Sequence, residues 1–185
     1  MKIAARFMYV LLSILFMGCN STKMKENIQQ LQATAISFPR QGMITMRGRD
    51  TLIPKFMQSE LKLIVYTDSV ECSSCVVSKM YLWNSFIEYA KSYGGRLKYY
   101  YILSPRKQDV NKVRIALAGT ILEYPVIIDS LGEFEKLNPH LPKDRLLHTF
   151  LLDENNNVIL VGNPLLNKKI KEMFYKIVEE KLGKP

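Results

Sequence analysis

The sequence predicts one α/β domain, a mixed central sheet with helices on both faces, behind an N-terminal signal peptide. Strand-like and helix-like segments alternate from residue 42 onward, as they do where helices connect parallel strands. Near the end, two apolar runs are separated only by polar turn residues, which indicates an antiparallel hairpin. The 185 residues suffice for one such domain and a targeting segment.

Residues 1–18 are typical of a signal peptide. Lys2 and Arg6 precede an apolar run over residues 7–17 that is interrupted only by Ser13. A helix needs roughly 20 residues to cross a hydrocarbon layer of about 30 Å, so a permanent membrane span is the weaker interpretation. A buried N-terminal helix is weaker too, because nearly every face of it would be apolar.

The apolar run ends in Phe16-Met17-Gly18-Cys19, which resembles a bacterial lipobox, although the two residues before the glycine depart from the usual ones. The resemblance implies that Cys19 is lipidated and anchors the chain to the inner or outer membrane. The domain would then face the periplasm or another extracytoplasmic space. Residues 19–39, rich in Lys, Gln, Ser and Thr, are predicted to form a tether, and residues 40–185 the domain.

The formal net charge of +9 raises the question of a nucleic-acid partner. Lys and Arg are spread along the chain, and no short basic run is interleaved with aromatic residues. We therefore predict no nucleic-acid binding. A solvated basic surface would be mildly attracted to anionic lipid headgroups.

Six strands are predicted from short β-rich runs. They lie at residues 43–46, 61–66, 97–103, 124–128, 146–152 and 158–161. The last two flank a polar stretch at residues 153–157, in which asparagine tolerates a positive φ. This stretch is the predicted hairpin turn.

Three helices are predicted. The first follows Cys75, where apolar residues recur at steps of three and four: Val76, Met80, Trp83, Ile87 and Ala90. The second covers residues 107–121. The third is predicted to begin at Asn163-Pro164, an N-cap followed by proline, and to bury Leu166, Ile170, Met173, Phe174 and Ile177.

The pair Cys72 and Cys75 lies between the end of a predicted strand and the start of the first helix. There, the helix dipole and unpaired N–H groups stabilise a thiolate and lower the pKa of Cys72. Cys75 lies one turn further on, where it can close a disulfide. We predict Cys72 as the nucleophile and Cys75 as the resolving thiol. The neighbouring Glu71 and Asp68 oppose ionisation of Cys72 and partly offset the helix effect.

Two blocks of sequence resemble the thioredoxin superfamily, in particular its membrane-anchored (TlpA/ResA-like) thiol-disulfide oxidoreductases. They are CSSC at residues 72–75 and the series YPVIID at 124–129, HTFLLD at 148–153 and VILVG at 158–162. The resemblance implies a thioredoxin-like fold and disulfide exchange without a bound cofactor. Its partners would be exported proteins with disulfides or thiols, and an upstream redox protein.

The sequence departs from that family where a cis-proline usually contacts the substrate. Leu147 stands at this place, and a trans bond is expected because non-proline cis bonds cost about 2.5 to 4 kcal/mol. Leu147 and the following His148 are the candidate substrate-binding residues. Glu71 also replaces the usual tryptophan before the first cysteine.

Three other interpretations remain open. The first is a structural disulfide in a redox-silent binding module on a lipid tether. The second is a zinc site made by Cys72, Cys75 and His148, although we predict that the protein binds no metal. The third is a thiol peroxidase, which is weakened because Val65 stands where such enzymes carry proline.

Overall fold

The computed structural model describes residues 22–39, 43–46, 49–50, 59–120 and 124–185. The predicted signal peptide and Cys19 lie outside these described residues. The strands are β1 (Met43–Met46), β2 (Arg49–Asp50), β3 (Leu61–Thr67), β4 (Leu97–Leu103), β5 (Val126–Ile128), β6 (Thr149–Leu152) and β7 (Val158–Val161). The helices are α1 (22–32), α2 (Ser73–Val77), α3 (Asn84–Lys91), α4 (Val110–Ala118), α5 (Glu133–Leu137) and α6 (Lys168–Leu182).

The seven strands form one sheet in the order β2-β1-β5-β4-β3-β6-β7. β3, β4 and β5 are parallel, whereas β1, β6 and β7 pair antiparallel with their neighbours. The predicted mixed sheet is therefore confirmed. The predicted hairpin between β6 and β7 is also confirmed, and Asn156 in its turn has a φ of 65°.

Helices cover both faces of the sheet, as predicted. On one face, α3, α4 and α6 bury an aromatic-rich core that includes Trp83, Phe86, Tyr99, Tyr101 and Phe174. On the other face, α1 and α5 close a second core. Its larger members are Leu31, Tyr66, Tyr100, Phe134 and Phe150. No helix among the described residues has the length and apolar character needed to cross a membrane.

The folded domain begins before the predicted boundary at residue 40. Leu31 and Ile36 are fully buried in the second core. The Ser37 N–H donates to Asn138 Oδ1 (2.8 Å), and Asn138 Nδ2 donates to the Ser37 carbonyl (2.7 Å). The Ile36 N–H donates to the carbonyl of Asn156 in the hairpin turn (2.9 Å). The C-terminal part of the predicted 19–39 tether is thus docked on the domain, because its apolar side chains complete a core.

The single helix predicted after Cys75 is divided into α2, a 3₁₀ turn at Met80–Trp83, and α3. The division follows Ser78, whose hydroxyl donates to the Cys75 carbonyl (2.8 Å), since such a side-chain bond competes with the helical pattern. The predicted apolar stripe still points inward over most of its length, and Met80 and Trp83 are buried.

The predicted start of the last helix is wrong. α6 begins at Lys168 because Asn167 is its N-cap, with Oδ1 accepting from the N–H groups of Lys169 and Ile170. Asn163 instead accepts from the Leu165 N–H within the preceding turn (2.8 Å). Phe174 is buried as predicted. The predicted core residues Leu166 and Met173 are exposed, with 76% and 47% of their surface accessible.

Candidate active site

Cys72 and Cys75 form a disulfide at the start of α2, with their Cα atoms 5.2 Å apart. Cys72 is the N-cap residue, and its Sγ accepts the backbone N–H of Cys75 at 3.3 Å. Both cysteines are exposed. The predicted position of the pair, between the end of β3 and the start of a helix, is confirmed, and the bridge can be reached from solvent.

The bridge follows the C-terminal end of β3, one of the three parallel strands. The Ser104 N–H donates to the Thr67 carbonyl and the Asp129 N–H to the Leu103 carbonyl, both at 2.8 Å, so the three strand ends are held side by side. Asp129 is buried and accepts from the N–H groups of Glu133 and Phe134, the first two residues of α5. Loops that follow such strand ends commonly carry binding and catalytic residues.

Asp68 organises the loop that leads into Cys72. Its Oδ1 accepts from the N–H groups of Val70 and Glu71 (2.9 and 3.0 Å), and Arg145 Nε donates to its Oδ2 (3.0 Å). Burial raises the pKa of Asp68, but these hydrogen bonds and the Arg145 charge outweigh it and hold the pKa below its ordinary value. The carboxylate is therefore partly balanced by Arg145, which weakens its expected opposition to a Cys72 thiolate.

A cleft of about 320 Å³ lies beside Cys72. Its walls come from the loop before Cys72, the segment after β4, and the first turn of α4. Arg106 Nε donates to the Ser69 carbonyl (3.3 Å), and Lys112 pairs with Asp109 (3.3 Å). Sequence reasoning missed Arg106 and Lys112 as neighbours of the bridge, because only the fold brings them there.

No family model matches this chain, and no curated protein matches it. Among solved structures, it is similar to a protein designated thiol:disulfide interchange protein DsbE from Chlorobium tepidum, with 15% identity and a TM-score of 0.52. That match covers 78% of this chain and 94% of the other. A thioredoxin-like protein in its oxidised form matches with 14% identity and a TM-score of 0.50, over 79% and 97% of the two chains. This chain has a thioredoxin-like fold.

Within the thioredoxin-like fold, neither Leu147 nor His148 lines the cleft beside Cys72. Both side chains are buried, with 4% and 5% exposed. A His148 ring nitrogen, Nε2, is hydrogen-bonded to the Pro142 carbonyl (2.8 Å), and the ring packs on Tyr66 with centroids 5.0 Å apart. As expected, the bond before Leu147 is trans. The structure thus brings Cys72 and Cys75 together but does not place either candidate substrate-binding side chain in the cleft.

The zinc alternative has little support in the geometry. The sulfurs of Cys72 and Cys75 are bonded to each other, and His148 Nε2 is engaged with a carbonyl. Within the ranges that the structure describes, no three His, Cys, Asp or Glu side chains are grouped so that they could hold a metal ion.

Proposed function

We propose that this protein exchanges disulfides with exported proteins and with an upstream redox protein through Cys72 and Cys75. The observation that supports this most directly is the exposed bridge at the N-terminus of α2, where Cys72 Sγ accepts a backbone N–H. In the reduced protein, the same N–H would donate to a Cys72 thiolate, and charge-assisted hydrogen bonds of this kind are the stronger ones.

The exchange proceeds in two balanced steps. The Cys72 thiolate attacks one sulfur of a partner disulfide, which forms a mixed disulfide and releases the partner's other sulfur as a thiolate. The Cys75 thiolate then attacks Cys72 Sγ, which closes the bridge and releases the second partner thiolate. Two electrons thus pass from the cysteine pair to the partner. The same two steps in reverse would oxidise a reduced partner.

The redox potential of the pair tests this proposal. After equilibration of the full chain with glutathione or dithiothreitol buffers, we expect a potential between about −270 and −120 mV, the range of known thiol-disulfide catalysts. Mass spectrometry of the peptide that contains residues 72 and 75 counts their alkylated thiols separately from Cys19. A pair that stays oxidised below about −300 mV would indicate a structural disulfide and a redox-silent binding module.

We also propose that the chain is lipid-anchored at Cys19, with the domain on the extracytoplasmic side of the inner or outer membrane. In cells that make the full chain, labelled palmitate should be incorporated into the protein, and Cys19→Ala should abolish the labelling because the acylated sulfur is gone. Cys72→Ala is the matched control and should retain the label. Undiminished labelling of Cys19→Ala would contradict the anchor.

A further inference from the structure

A groove extends along α4 on one side of the Cys72–Cys75 bridge. It consists of the 320 Å³ cleft beside Cys72 and a second cleft of about 540 Å³. Ser74, which lies between the two cysteines, lines both clefts, and its Oγ is 3.5 Å from Cys72 Sγ. A molecule that occupies the groove would therefore lie against the bridge.

The two halves of the groove differ in chemistry. In the half beside Cys72, Lys112 is paired with Asp109, whereas Arg106 donates to the neutral carbonyl of Ser69 and keeps its positive charge, so this half is polar. The other half is mainly apolar, with Val77, Tyr81, Ile115 and Ala116 among its walls. Tyr81 and Ile115 leave 59% and 73% of their surface in solvent. Single exposed apolar residues are common, but these two line the same cleft beside a reactive bond.

The length of the groove suits an extended peptide. The nine residues of α4 extend about 13 Å at 1.5 Å per residue. An extended chain advances roughly 3.3 Å per residue, so four or five residues would lie along the helix. A cysteine placed over Ser74 would leave side chains two or three residues away beside Tyr81 and Ile115.

We propose that this groove selects the partner protein: it binds an extended segment whose cysteine lies at Ser74 and whose bulky apolar side chain occupies the space between Tyr81 and Ile115. This inference rests on the proposed disulfide exchange and specifies its substrate class. The groove lies on the α2 and α4 side of the bridge, whereas Leu147 and His148 are buried and do not line it. Partner selection is thereby assigned to side chains that the sequence motifs did not indicate.

The test uses the oxidised full chain and two five-residue peptide thiols, Gly-Cys-Gly-Leu-Phe and Gly-Cys-Gly-Ser-Asn, with blocked termini. A peptide thiolate attacks Cys72 Sγ and releases Cys75 as a thiolate, and a second peptide thiolate then releases Cys72 and leaves a peptide disulfide. Acid quenching and mass spectrometry give the second-order rate constant of the first step. Glutathione serves as a small thiol without apolar residues.

We expect the Leu-Phe peptide to react about tenfold faster than the Ser-Asn peptide, because binding buries its apolar side chains. Ile115→Gln and Tyr81→Gln should remove most of this preference and leave the rate with glutathione unchanged. Leu166→Gln is the matched control, since Leu166 is equally exposed but does not line the groove. Because all three residues are exposed, these variants should fold normally.

Three results would overturn the inference. The first is equal rates for the two peptides. The second is an Ile115→Gln variant that prefers the Leu-Phe peptide as strongly as Leu166→Gln does. Because the bridge would still react with both peptides, this result would leave the proposed disulfide exchange intact. The third is a full chain that is dimeric in sedimentation experiments and becomes monomeric in Ile115→Gln, because the occupant would then be a second copy. A bridge inert to glutathione, dithiothreitol and both peptides would instead refute the exchange itself.

Discussion

The full chain should unfold cooperatively as the pH is raised from about 10 to about 12. Burial raises the pKa of Tyr66 to about 12 and that of Tyr124 to about 12. Burial also raises the pKa of Tyr99 and of Tyr101 well above the ordinary value of 10. Each of these tyrosines ionises more easily in the unfolded chain than in the folded one, so alkaline conditions favour unfolding.

The sign and the size follow from proton linkage. A group whose pKa is raised by folding contributes stability that is complete below the unfolded pKa and is lost as the pH rises through the folded pKa. For Tyr66, a pKa raised from 10 to about 12 corresponds to about 2.7 kcal/mol. Tyr124, whose pKa is raised equally, contributes a similar amount, so these two groups together reach about the lower end of the 5–15 kcal/mol typical of a domain. Lys62, whose pKa burial lowers, acts in the opposite direction but is a single group.

Circular dichroism and tyrosinate absorbance, followed together, measure this transition. Tyr101→Phe should move the midpoint of the transition to higher pH. Tyr101 Oη is buried and has no hydrogen-bond partner among the described residues, so phenylalanine removes the ionisable group without leaving a donor unpaired. Tyr81→Phe, at an exposed position, is the matched control and should leave the midpoint in place. Ionisation of the buried tyrosines near pH 10 while the fold stays intact would contradict the prediction.

Replacing Cys75 with Ala should accumulate partner proteins covalently bound to Cys72. In the unmodified chain the Cys75 sulfur is held within the same turn as Cys72, with the two Cα atoms 5.2 Å apart, so a mixed disulfide on Cys72 would be short-lived. Without Cys75, that intermediate has no internal route to resolution. The amount of mixed disulfide recovered from cells should rise by at least about tenfold, a lower bound set by the loss of the intramolecular step.

Non-reducing gels followed by reduction and mass spectrometry would identify the trapped partners. The double variant with both Cys72→Ala and Cys75→Ala should trap none, which separates exchange at Cys72 from disulfides made by Cys19. If Cys75→Ala yields no mixed disulfides from cells under oxidising conditions, disulfide exchange is not the activity of this protein.

The features predicted best from the sequence are those that depend on residues close together along the chain. β1, β4 and β7 have the predicted bounds, and the hairpin turn follows from local asparagine chemistry. The start of α6 was misplaced because two asparagines compete as N-caps, and local rules favoured Asn163 with its following proline over Asn167. The short helix α5 was not predicted at all. Its first N–H groups donate to Asp129, which the sequence analysis named only as the last residue of the YPVIID block.

Contacts between residues distant in sequence could not be predicted. Lys62 stands in an apolar strand, yet it is fully buried and its Nζ donates to the carbonyls of Asp153 and Glu154 in the hairpin turn (2.9 and 3.2 Å). The ion pair of Asp68 with Arg145 joins residues 77 positions apart. Only the folded sheet brings such pairs together. The Asp68–Arg145 ion pair helps to hold the loop before Cys72 in place.

The docking of Leu31 on the domain would set how far the domain can travel from the proposed lipid anchor at Cys19. With lipid on Cys19, residues 20–30 are the whole connection to the buried Leu31. α1 contains most of these residues, and a helix rises only about 1.5 Å per residue. The segment between Cys19 and Leu31 is therefore roughly 15 to 25 Å long. Encounters would then be confined to a thin layer above the bilayer. Partners held at the same membrane would meet the bridge at a far higher effective concentration than freely diffusing ones.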